Sequence, residues 1–141
     1  MFIRFTTRGR YGEAAAPTGL FEAAYRFRDE KTLLEEQQVE LADLLLTYQS
    51  TVETLDLEPP CLDFHPKVLY WYKPDAFDAL AQTQALADFL GRQGFIVDVE
   101  KQSNPGFIVG EDAVQIAVAN CNWRERLGYI LRYKVARVRL V

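Results

Sequence analysis

The chain is poor in the residues that most enzyme chemistry needs. Its 141 residues include a single histidine, His65, and two cysteines, Cys61 and Cys121, which lie far apart with no partner spacing. That scarcity excludes a zinc knuckle, a disulfide framework and any cluster of imidazole ligands, so neither a metal nor a cofactor is expected. No glycine-rich stretch has the form of a phosphate loop. No apolar run approaches the ~20 residues that cross a bilayer, and the opening Met1–Thr7 reads as a strand instead of a secretory leader. The expected compartment is the cytoplasm, where the two thiols stay free and buried.

What is present describes an ordinary globular chain. Apolar residues make up 49%, charged residues 26% and aromatics 13%, which suits one domain with a ring-rich core. The net charge of -4 hides an asymmetry. Residues 119–141 carry six basic side chains (Arg124, Arg126, Arg132, Lys134, Arg137, Arg139) against Glu125, whereas residues 1–118 carry ten basic and nineteen acidic ones. An acidic body repels nucleic acid; a basic tail attracts anionic partners or the body itself.

Patterning gives the order of elements. Phe2–Thr7 alternates as a strand, and the polar run with Gly9 and Gly12 reads as a loop ending at Pro17, a residue suited to the first turn of a helix. Leu20, Phe21, Ala24 and Phe27 form the inner stripe of that helix. Thr32 followed by Glu35 has the capping-box form and opens a second helix with Leu34, Leu41, Leu44, Leu45, Tyr48 and Val52 inward, the two helices making a hairpin joined near Asp29–Lys31. Pro59, Pro60 and Pro66 mark an extended connection. Val68–Tyr72 is a β-branched and aromatic strand, expected to be buried.

Pro74 at a first helical turn, with Asp75 and Asp78 near the positive end of the dipole, starts a third helix whose stripe is Phe77, Leu80, Ala81, Ala87 and Leu90. Gly91 and Gly94 stop it, and Phe95–Glu100 is a strand. With a helix between them, strands 68–72 and 95–100 are expected to be parallel neighbours. Turns at 104–106 and 110–112 separate short strands at 107–109 and 113–118. The expected fold is therefore α+β: a mixed sheet of about five strands in the order β-α-α-β-α-β-β-β, helices on one face, residues 1–118 as a single domain, and 119–141 as a C-terminal extension docked on the body or on a second subunit.

Three stretches, Gly19–Tyr25, Trp71–Pro74 and Pro105–Val109 with Glu111, Asp112, Val114 and Gln115, resemble as a set a family of small bacterial proteins of unknown function. The resemblance covers about residues 1–118. It implies the domain boundary and attaches no activity. The chain departs from the family in Leu55–Pro66 and after Val118.

Cys61, Asp63 and His65 alternate, so an extended backbone points all three one way. A nucleophilic or metal site there would need further groups from elsewhere, and a packed loop with a surface imidazole explains the same spacing. Tyr70 and Tyr72 share a strand face, as in stacking platforms for single-stranded RNA, but helices covering that face and an acidic body argue against nucleic acid. Lys73 stands at a strand end, where open α/β sheets bind ligands; pairing with Asp75, Glu111 or Asp112 explains it more simply. Turn chemistry accounts for Glu111 and Asp112. In the tail, Asn122 can cap a short helix through Trp123 and Leu127, followed by an extended end.

The leading expectation is a non-enzymatic protein-interaction or regulatory module whose partner is a protein, itself or another. The alternative is a small enzyme or ligand-binding protein with its pocket between Cys61–His65 and the end of the 68–72 strand, using His65, Asp63, Cys61, Lys73 or Glu111. A second alternative places nucleic-acid or anionic-membrane binding in the tail, through Trp123, Arg124, Arg126, Arg132, Lys134, Arg137 and Arg139.

Overall fold

The computed structural model describes residues 1–10, 17–52, 55, 68–119, 124, 127 and 131. They form an α+β structure in which β1 (Phe2–Arg10) and a two-residue β2 (Thr18–Gly19) precede α1 (Leu20–Asp29) and α2 (Glu35–Thr51). β3 (Val68–Tyr72), α3 (Phe77–Arg92), β4 (Phe95–Gln102), β5 (Phe107–Glu111) and β6 (Gln115–Ala119) complete the order. Apart from β2, this is the order the patterning predicts. Thr18 and Gly19 pair with Thr7 and Thr6, so the chain enters α1 from a strand, and Pro17 lies before the helix instead of in its first turn.

Every pairing among these strands is antiparallel, which corrects the expectation of a mixed sheet. β3 and β4 both run antiparallel to β1, hence parallel to each other, but they are not neighbours, because β1 lies between them. A helical crossover fixes the relative direction of the strands it joins, and its length lets it step over an intervening strand. The main path through the sheet runs β2-β1-β3-β6-β5, with β4 along the other edge of β1. That pairing extends from Phe2↔Gln102 to Arg10↔Phe95, with a register shift after Thr7. Gly9 takes φ 93 there, and Thr7 Oγ1 accepts from the Gly9 amide at 3.2 Å while donating to the Ile96 carbonyl at 2.8 Å. Glycine suits this left-handed bulge position, and the strand therefore continues through residues that the sequence presents as loop.

The main core lies between the sheet and the helices. Phe5 and Tyr72 from strands join Leu20, Ala24 and Phe27 of α1, Leu41 and Leu45 of α2, and Leu86, Phe89 and Leu90 of α3. Arg10 closes one end, its guanidinium 4.1 Å from the Phe27 ring and 5.3 Å from the Phe95 ring, a cation–π arrangement. Arg92 Nη2 reaches Glu40 at 2.6 Å and ties α3 to α2. The opposite sheet face holds a separate cluster of Trp71, Ile116 and Val118 with Phe2 beside it, and among the described residues no helical one belongs to it.

Two helix starts differ from those the sequence predicts. α2 is capped at Leu34, whose amide donates to Gln37 Oε1 at 3.2 Å, so Thr32 and Glu35 form no capping box; Leu33 turns inward and Leu34 outward. α3 begins at Phe77 after a turn over Pro74–Asp75; Ala87 and Leu90 are buried as expected, but Ala79, Thr83 and Leu86 join them and Phe77 is 74% exposed. The pre-proline bias and the turn shift the start of the helix.

Candidate functional site

The site begins with how β1 shares one edge. β3 pairs with it only at Ile3↔Tyr72, and β2 takes over at Thr6 and Thr7. Between these points the strands part, and the first turn of α1 lies at the opening. The result is a cavity of about 510 Å³ lined by Arg4 and Phe5 of β1, Val68–Tyr70 and Tyr72 of β3, Gly19–Glu22 and Tyr25 of the β2–α1 segment, and Tyr48 of α2 with Val52 just after it, together with Leu55, Thr83 and Gln115. Its size falls within the range of small-molecule sites, and aromatic walls with a few polar groups are typical of them.

Four tyrosines give it its chemistry. Phe21 and Tyr48 stack with centroids 3.8 Å apart. Tyr48 Oη and Tyr72 Oη are 2.6 Å apart, Thr83 Oγ1 lies 3.0 Å from Tyr72 Oη, and Thr83 donates to the Ala79 carbonyl at 2.8 Å. Gln49 Nε2 donates to the Tyr25 hydroxyl at 2.5 Å. Burial raises the Tyr48 phenol above its ordinary value, and the neighbouring Tyr72 adds to the rise; burial likewise raises Tyr72, against its hydrogen bonds with Thr83 and Tyr48, which lower it. Both phenols are protonated at neutral pH, which suits them to donate and accept hydrogen bonds, not to act as bases.

Among the described residues, the predicted site residues are not gathered in this cavity. Lys73 Nζ pairs with Glu111 Oε1 at 3.5 Å, as charge neutralisation predicts, and neither lines the cavity. Asp112 Oδ1 accepts from the amides of Val114 and Gln115 at 2.7 and 2.8 Å, so turn chemistry explains it. Cys61, Asp63 and His65 lie outside the described residues, as do Trp123, Arg126, Arg132, Lys134, Arg137 and Arg139 of the tail. Arg124 is described and exposed. Tyr70 and Tyr72 do share a face, but it is the helix-covered one, with Tyr72 buried; they are not an open stacking platform.

Arg4, Tyr25, Tyr48 and Thr83 enter the site unannounced by the sequence. Tyr48 is legible only as part of an inward helical stripe, and nothing local brings it to Tyr72. Among the described residues, no group of three His, Cys, Asp or Glu side chains could hold a metal ion, and no helix is long and apolar enough to cross a membrane. Comparison with family models, curated proteins and solved structures finds no match, so the resemblance over residues 1–118 lends the chain no function.

Proposed function

We propose that the chain is a small-molecule-binding module whose ligand sits in the tyrosine-lined cavity, and that binding, not catalysis, is its task. The carrying observation is the cavity itself, about 510 Å³ of mainly apolar space between β1, β3, α1 and α2. Its aromatic walls favour a flat, apolar ligand, and the buried Tyr48–Tyr72–Thr83 hydroxyls offer one polar end to orient it. The raised phenol pKa values keep that end neutral.

The test is titration with the fluorescent apolar probe anilinonaphthalene sulfonate, followed by competition with a panel of planar aromatic compounds. Saturable binding near one equivalent is expected, together with a raised melting temperature, since a ligand at a hundred times its Kd stabilises by about 2.7 kcal/mol. Val52→Phe fills the cavity and is expected to abolish binding while the protein stays folded. Undiminished binding in that variant would count against the site.

A second reading, a protein-interaction module, has the outer face of α2 in its favour. Val39 and Leu46 are 56% and 66% exposed, on the side away from Leu41 and Leu45. Val39→Glu with Leu46→Glu is expected to change the sedimentation of any self-associated form; an unchanged profile would remove self-association from this reading.

A further inference from the structure

The sheet face away from the helices carries a second cavity, of about 310 Å³, lined by Arg4, Trp71, Glu100, Gln102, Gly106 and Val118 among others. One hydrogen-bond donor at this cavity has no partner, and a cation beside it is loosely paired. Trp71 is 3% exposed and its indole Nε1 is buried with no hydrogen-bond partner. A buried orphan donor costs about 1–3 kcal/mol and is rare in folded proteins. Arg4 has a side chain only 16% exposed, and its ion pair with Glu100 is 4.0 Å long, beyond hydrogen-bonding range. A guanidinium so enclosed and so loosely paired gains more from a full partner than it would in water.

We propose that this cavity binds a small carboxylate-bearing molecule, its two oxygens accepting from the Arg4 guanidinium and the Trp71 indole and its apolar part resting on Val118. The carboxylate is the class that meets both deficits at once: it carries the charge complementary to arginine and supplies two acceptor oxygens. The remaining wall is built close. Gly106 adopts φ 144, and a Cβ at that position would stand 2.7 Å from Val118 Cγ1. This site is separate from the tyrosine-lined cavity, although Arg4 lines both and forms part of the partition where β1 and β3 separate.

A Trp123→Phe background leaves Trp71 as the sole indole, so its fluorescence reports on this cavity alone. Titration with sodium benzoate and sodium acetate is expected to give a saturable change for benzoate, with benzamide at least tenfold weaker because it lacks the charge. Arg4→Met is expected to weaken benzoate at least tenfold, and Arg4→Lys, which keeps the charge without the fork, to fall between; circular dichroism establishes that each variant is folded. No saturable response to either carboxylate, equal affinity for benzamide, or undiminished affinity in folded Arg4→Met would overturn the proposal. Benzoate binding that disappears in Val52→Phe would place the ligand in the tyrosine-lined cavity and overturn it equally.

Discussion

Tyr48 on α2 and Tyr72 on β3 hold their hydroxyl oxygens 2.6 Å apart, twenty-four positions separated in the chain, and so fasten the helical hairpin to the sheet. Tyr72 stands between Tyr48 and Thr83, so loss of its hydroxyl removes two hydrogen bonds. Tyr72→Phe is expected to lower stability by about 1–3 kcal/mol and Tyr48→Phe by less, because Tyr48 is the end of the run. Urea denaturation of the two variants checks the ranking.

The same pair sets the alkaline limit. Both phenols have folded-state pKa values raised above the ordinary value near 10, chiefly by burial. The unfolded chain therefore loses these protons first. Their contribution is fully present below pH 10 and is lost as pH rises above it. Stability is expected to be insensitive to these groups near neutrality and to fall above pH 10, with the absorbance of these two tyrosinates appearing together with unfolding. Tyr48→Phe should make that fall shallower.

Lys31 adopts φ 53 just after the end of α1, the one described non-glycine residue with positive φ. The left-handed region costs an ordinary side chain about 1–2 kcal/mol and glycine almost nothing. Lys31→Gly is expected to stabilise by about 0.5–1 kcal/mol after the added flexibility of the unfolded chain is counted, seen as a melting temperature a few degrees higher.

Gly19 caps α1 in extended conformation with no side-chain hydrogen bond, and a Cβ there meets nothing within 4 Å. Gly19→Ser should supply the missing cap and add a few tenths of a kcal/mol. Gly106→Ala should do the opposite. Its φ of 144 and the close Val118 methyl predict a loss of about 1–3 kcal/mol, measured by the same denaturation.

Local pattern revealed most of the elements and little of their arrangement. Val68–Tyr72 and the inner residues Leu20, Ala24 and Phe27 follow from β-branching and helical spacing, which act over a few residues. The first turns of α3 did not follow, because the Pro74–Asp75 turn moves the start of the helix and leaves Phe77 outside, whereas Ala87 and Leu90 are buried as the pattern predicts. Nor did the insertion of β1 between β3 and β4, since a crossover helix states direction and not adjacency. The tyrosine-lined cavity was illegible for the same reason. Arg4, Phe21, Tyr48 and Tyr72 come from four elements, and only the parting of β1 from β3 brings them to one space.

The central place of β1 has a consequence for synthesis. Thr7 donates its hydroxyl proton to Ile96, 89 positions later in the chain. At about 5–20 residues per second, roughly 5–20 seconds separate the emergence of the strand from that of its longest-paired partner. During this time β1 has only the two-residue β2 and, later, a single pairing with β3 to enter, and the helical hairpin forms first from contacts close in sequence. Pulse-labelled ribosome-bound chains are therefore expected to acquire protease resistance only after β4 has left the exit tunnel, and the early strand is the segment most in need of protection from other nascent chains.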